Sequence, residues 1–314
     1  MSILKLAPAS VVDEPDKKAI SKLVSTDEPL AAASTYLFSA NPEYGSIVVS
    51  GKQAGISFGQ WLTDYGYHAL GTDCDQYGKL PLEIRGLGGE EGKLFYSLNK
   101  TKPSLWVITE AKPGAVVYLG EGEKTDSAEF LASLADGSFT KEMEDYEVVP
   151  QMTAEVDTGT TYVVDDRVRI LEVTPTVDLP AELHMHVFDH EEEIEHCDDP
   201  DHDHDHDHDH HDHSYHHDHS YHQGDGVIDG SASFSAGESN SLYEADFYLV
   251  DGSMEMSTDS RSFKVLVFMS GTAVVDDHEE TIHAEKGTVI FAPASSKPFR
   301  ITGNCNFMMV HLNA

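Results

Sequence analysis

Residues 184–226 contain fifteen acidic residues, no Lys or Arg and almost nothing apolar, and this stretch limits what the rest of the chain can build. Such a segment cannot bury enough surface to offset the entropy of ordering it. It is therefore expected to be a disordered loop that separates two folded parts, each with its own run of strands. Fifteen of the nineteen histidines lie between His184 and His222, interleaved with aspartates as DPDHDHDHDHDHHDHSYHHDHSYH. Neutral imidazole is a ligand for zinc, nickel, cobalt and copper, so the composition points to divalent metal binding. The candidate ligands are His184, His186, His190, His196, Cys197, His202, His204, His206, His208, His210, His211, His213, His216, His217, His219 and His222. Zinc is the expected ion, with nickel or cobalt as alternatives. His184 and His186 stand two apart on a strand-like segment, where alternation places both imidazoles on one face.

Outside the tract the chain reads as short strands broken by Gly, Pro, Asp and Asn. Ser46–Val49, Ser104–Thr109, Ala115–Leu119, Val168–Val173 and Phe263–Met269 are the clearest. In the last of these, Phe263, Val265, Val267 and Met269 share one face, the pattern of a half-buried strand. Turns are expected at Ser270-Gly271-Thr272, around Asp276–Glu279 and at Glu285–Gly287. Helices are few. Asp126-Ser-Ala-Glu129 resembles a capping box leading into Phe130, Leu131 and Leu134, and Asp136-Gly137 stops it. A further helical turn is expected from Lys17 to Leu23. The spacing predicts a mainly β chain, a β-sandwich or barrel, in two β units on either side of the histidine tract.

The chain carries 56 acidic against 20 basic residues, and 41 against 20 without residues 184–226. Nucleic acid and anionic membrane surfaces need clustered basic residues, so neither is an expected partner. The acidity of the body gives no help to a phosphorylated sugar, though a local basic pocket stays open. Cys74, Cys197 and Cys305 are scattered and show no CxxC pairing, which fits a reducing compartment. The opening residues hold no apolar run suited to a secretion signal, and no run is long enough to span a bilayer. The expected location is the cytoplasm.

Several runs carry a family resemblance. KPSLW at 102–106 leads into VITEAKPGAVVYLG at 107–120, with the short helix after it. LPLEI at 80–84 precedes them, and Gly287 to Pro293 with MMVHL at 308–312 close the chain. Taken in order, these are similar to type I phosphomannose isomerases. The resemblance implies a double cupin: an N-terminal cupin domain with a helical insert at 1–189, the His/Asp-rich insert at 190–229 and a C-terminal cupin at 230–314. It further implies a zinc-dependent interconversion of mannose 6-phosphate and fructose 6-phosphate. Zinc in that family is held by a Gln-x-His pair, a Glu just before the Trp, and a His after a Gly-Thr turn. The matching positions here are Ser97, Asn99, Ser104 and Tyr162, and the family's arginine falls at Glu182 or His186. Ser and Asn are poor zinc ligands, and a Tyr would have to ionise. In the second barrel the fifth residue after Pro293, where a metal-binding cupin carries a His, is Pro298, so that barrel is expected to be metal-free.

The residues thus imply a phosphomannose-isomerase-like cupin that kept its fold, lost its core ligands and binds metal through the insert, with no assignable catalytic residue. Metal buffering, storage or sensing would follow. Two alternatives stay open. One is a working isomerase with a zinc site rebuilt around His184 and His186. The other is a cupin that senses a carbohydrate or sugar phosphate without turning it over.

Overall fold

The computed structural model describes residues 1–7, 9–11, 34–88, 94–98, 100–121, 127–178, 228–239 and 242–313. The expected turn at Lys17–Leu23 and all sixteen candidate ligands between His184 and His222 lie outside the described residues.

Strand formers separated by turn residues produce three antiparallel sheets. Two of them face each other in the N-terminal half. One has six strands in the order Thr153–Val156, Ser104–Ala111, Val168–Pro175, Leu82–Leu87, Ser34–Phe38 and Ala9–Val11. The other has four, ordered Phe95–Ser97, Thr160–Val164, Val116–Glu121 and Glu144–Glu147. Trp106, Ile108, Val117, Tyr162, Val164 and Ile170 pack between them as one apolar core. The third sheet has eight strands. It runs Ile228–Ser239, Tyr243–Met256, Phe299–Leu312, Lys264–Asp276, Val289–Ala292, Leu4–Ala7 and Ile47–Val48, with Thr281–Glu285 paired to Lys264–Asp276. It closes on a core that includes Leu266, Phe268, Ile290, Ile301 and Phe307. The molecule is mainly β, as the strand spacing predicts, and its sheets are consistent with the double cupin that the resemblance implies.

The two barrels share a third core. Leu6, Phe38, Phe58, Leu105 and Val173 from the first half meet Val265, Phe291 and Val310 from the second. Phe38, Phe58, Phe263 and Phe291 pack with ring centroids 4.9–5.9 Å apart. Such aromatic pairs contribute about 0.5–1.5 kcal/mol each beyond the area they bury. Backbone bonds stitch the same seam: Thr72 donates to Ser260 O (3.0 Å), Asp73 to Arg261 O (3.0 Å) and Ala294 to Ala69 O (2.8 Å). The first strand reinforces it, because Leu4–Ala7 pairs with Val289–Ala292 of the C-terminal sheet.

This seam overturns the half-buried reading of Phe263–Met269. Val265 and Val267 face the shared core, while Leu266 and Phe268 face the barrel interior, and all four are buried. A strand trapped between two cores reads as a continuous apolar run instead of an alternating one. The turn expected at Ser270-Gly271-Thr272 is also absent. The strand continues from Lys264 to Asp276 through an irregularity in register between Phe268 and Ser270. Gly271 takes φ +74° there, and a Cβ would lie 2.1 Å from Asn304 O, so only glycine fits.

Two α-helices are described. Ser127–Asp136 lies where the capping pattern places it, buries Phe130, Leu131 and Leu134, and ends at Gly137 in the left-handed region. Phe58–Tyr65 was not expected. Ser57 Oγ caps it by accepting from Gln60 N (3.1 Å), and Phe58, Trp61 and Leu62, at helical spacing, bury into the seam. Among the described residues no helix is long and apolar enough to cross a membrane.

Candidate functional site

The strand Val168–Pro175 runs through the middle of the six-stranded sheet and carries Glu172 on its inward face. Register puts Glu172 directly opposite Arg85 on one neighbouring strand and Trp106 on the other. Directly opposed side chains in antiparallel strands touch, so pairing alone delivers both partners. Ser104, two residues before Trp106, reaches the same carboxylate, and Lys100 arrives from the segment leading into that strand.

The Glu172 carboxylate is fully buried. Its Oε1 accepts from Lys100 Nζ (2.6 Å), Ser104 Oγ (3.0 Å) and Trp106 Nε1 (3.1 Å), and its Oε2 accepts from Arg85 Nε. Burial would raise its pKa. The Arg85 and Lys100 charges, with their hydrogen bonds, outweigh that and hold the carboxyl well below the usual carboxylate range. Burial acts on Lys100 in the opposite sense from Glu172's attraction and, with the Arg85 charge, holds its pKa below the ordinary lysine value.

Above this cluster lies an open cavity of about 570 Å³. Among the described residues Lys79, Arg85, Lys100 and Lys102 line it, with Glu83 as the one carboxylate. Tyr36, Tyr44, Ser97, Thr101 and Thr174 add aromatic and hydroxyl surface. Four cations around one cavity, in a chain that carries 56 acids, is a marked local reversal of sign. Glu83 is itself held by Ser39, whose Oγ donates to its Oε1 at 2.5 Å. Burial raises the Glu83 pKa, and the Ser39 bond, Arg85 and Lys102 act against that rise. The combination suits an anionic, hydroxyl-rich ligand: lysine and arginine for the charge, carboxylate and tyrosines for hydroxyl groups and ring faces.

Three of the four positions where the resemblance would put zinc ligands are described, and one of them, Ser104, touches Glu172. Ser97 lines the cavity and pairs across strands with Tyr162. Tyr162 is fully buried, with its ring edge-to-face on Trp106 at 4.8 Å. Ser104 donates to Glu172. Asn99 lies outside the described residues, as do Glu182 and His186. Zinc does not fit this set. Two hydroxymethyl groups and a packed phenol are poor donors, and the Lys100 ammonium and Arg85 guanidinium already hold the only carboxylate at the centre.

The remaining histidines do not join this site. His68, His278 and His283 are exposed and scattered, and His311 lies on the last strand of the other barrel. Cys74 and Cys305 are buried thiols, pushed up to about 12 and about 11, Cys74 by burial and then the Asp73 and Asp75 charges, Cys305 by burial. They are structural, as their isolation predicts.

Sequence reasoning missed Arg85, Lys100 and Glu172. The available signal was Glu172 itself, a carboxylate inside the apolar run Ile170-Leu171-Glu172-Val173, which demands an internal partner. Nothing local says which cation answers it.

Comparison with known proteins agrees with this architecture. Residues 244–312 match the family model of the mannose-6-phosphate isomerase cupin domain. The whole chain is similar to the crystal structure of mannose 6-phosphate isomerase from Bacillus subtilis, with TM-score 0.57, 15% identity and 99% of each chain covered. It is similar to a putative mannosephosphate isomerase from Archaeoglobus fulgidus, with TM-score 0.61, 14% identity and 99% and 98% covered. A mutant of phosphomannose isomerase from Salmonella typhimurium gives TM-score 0.60 and 10% identity over the full length of both. At these identities the likeness establishes the fold. No curated protein sequence matches the chain.

Proposed function

We propose that this chain, a double cupin with the phosphomannose isomerase fold, binds an anionic sugar of the sugar-phosphate class in its N-terminal barrel without a metal in that site. The observation that carries the reading is the Lys100–Glu172–Arg85 cluster beneath the four-cation cavity. A fixed ammonium and guanidinium stand where the resemblance would place a dication. They supply positive charge for a phosphate or a carboxylate ligand. Glu172, tied to four donors and held low, is too weak a base to take a proton from a sugar carbon at neutral pH. The barrel is therefore read as a binding module and not as a zinc isomerase. Its counterpart in the same chain is the His-rich insert, which binds zinc, nickel or cobalt with capacity more than selectivity. Metal buffering or sensing tied to sugar-phosphate supply is the role that joins the two.

Calorimetric titration of mannose 6-phosphate into the full chain with excess chelator tests this. Saturable binding without turnover is the expected result. Absence of binding would overturn the reading, and so would turnover abolished by chelator. The latter would favour a zinc site rebuilt around His184 and His186.

A further inference from the structure

We infer that Glu244, Asp246 and His311 form a half-buried binding site for one divalent transition-metal ion on the C-terminal barrel, which Pro298 gave reason to expect metal-free, separate from the insert and from the Glu172 cavity. Glu244 and Asp246 stand two apart on Tyr243–Met256, and His311 is the cross-strand partner of Glu244 on Phe299–Leu312. Pairing therefore puts three donors on one face, the face that continues inward as Tyr248, Met309 and Phe307. One carboxylate oxygen from each acid and one imidazole nitrogen lie within 4.8 Å of one another.

The three groups form an ion-pair cluster with separations that leave room for an ion between them. His311 Nε2 is 3.5 Å from Asp246 Oδ2 and 3.9 Å from Glu244 Oε2. Both exceed the 2.7–3.2 Å of a good N–H···O bond. Ligands about 2.1 Å from a tetrahedral zinc lie about 3.4 Å from each other, which is close to the spacing seen here. Asp246 is 4% exposed, and among the described residues its buried Oδ1 has no hydrogen-bond partner. A buried carboxylate oxygen left without a donor is costly, and a cation bound by that carboxylate would remove the cost. His311 is also oriented for the purpose. Its Nδ1 lies 3.1 Å from the Leu312 carbonyl, and an Nδ1–H donating there leaves the Nε2 lone pair directed at the two carboxylates. Ligating histidines are commonly fixed by such a backbone bond. One nitrogen and two oxygens with an open fourth position suit zinc, cobalt or manganese.

The test separates this site from the insert by its coupling to folding. Metal held by the insert, whose composition offers almost no apolar residues, is expected to bind the folded and unfolded chain alike and not to shift the melting temperature. A site assembled by two strands exists only in the folded chain. Zinc at a hundredfold excess over its Kd is expected to raise the melting temperature of the full chain by about 5 °C. Asp246→Asn and His311→Gln should abolish the rise. Glu244→Gln, at the half-buried edge of the cluster, keeps the test valid if either of the others fails to fold. No rise in the unmodified chain, or an equal rise in all the folded variants, would overturn the site.

Discussion

Lys100 Nζ lies 2.6 Å from Glu172 Oε1, although 72 residues separate them in the chain. The contact depends on the strands Leu82–Leu87, Val168–Pro175 and Ser104–Ala111 lying side by side in that order. It places a positive charge at the base of the N-terminal cavity and fixes the Glu172 carboxylate beneath it in its ionised form.

Glu172→Gln should destabilise the protein by about 3 kcal/mol, because it leaves the buried Lys100 and the half-buried Arg85 without their counter-charge. Urea denaturation would register this as a lower midpoint at unchanged slope. A loss under about 1 kcal/mol would mean that the cluster is open to water.

The same carboxylate gives a pH signature. Its folded-state pKa lies below the ordinary 4.5, so on acidification the unfolded chain takes up the proton first. Its contribution to stability is complete above about pH 5 and declines as pH falls through 4.5 towards the depressed value. The stability gap between the unmodified chain and Glu172→Gln should therefore be flat from pH 7 to 5 and narrow below 4.5. A gap that widened in acid would contradict the assignment.

Lys79 and Lys102 line the cavity without touching Glu172. Changing either to Ala should weaken mannose 6-phosphate binding by about tenfold, equivalent to about 1.4 kcal/mol, and lessen its sensitivity to salt. Melting temperatures should stay within about 1 °C. Unchanged affinity in both variants would move the ligand elsewhere.

Gly71 adopts φ +94°, and a Cβ there would lie 2.2 Å from Arg261 O across the seam between the barrels. Gly71→Ala should cost at least about 2 kcal/mol through strain and displacement of that segment. Because the shared core belongs to both barrels, tryptophan fluorescence and far-UV circular dichroism should shift together. Separate transitions would show that the barrels unfold independently.

Deleting residues 201–222 should remove most zinc bound at neutral pH while leaving one ion per chain at the Glu244–Asp246–His311 site. Zinc held by the intact insert should fall as pH drops below about 6.5, where histidine protonates. Equal zinc content with and without the deletion would sink the role given to the insert.

The strand rhythm, the helix at Ser127–Asp136 and the buried cysteines were legible from local pattern, because turn residues, alternation and caps act over a few positions. The family resemblance extended that to two barrels. The helix at Phe58–Tyr65 had its signal in Ser57 and the spacing of Phe58, Trp61 and Leu62, but it is short. Two-sided burial of Val265 to Phe268 was hidden because no single strand reveals how many cores it separates.

By itself, then, the sequence determined most of the strands, the acidic balance and the histidine-rich composition of residues 184–222, all properties of neighbouring residues. Tertiary structure alone decided that Arg85, Lys100 and Glu172 meet under one cavity, and that His311 faces Glu244 and Asp246. Those sites are made by register between strands distant in the chain, and register is set by how whole sheets bury their faces, not by any residue's immediate neighbours.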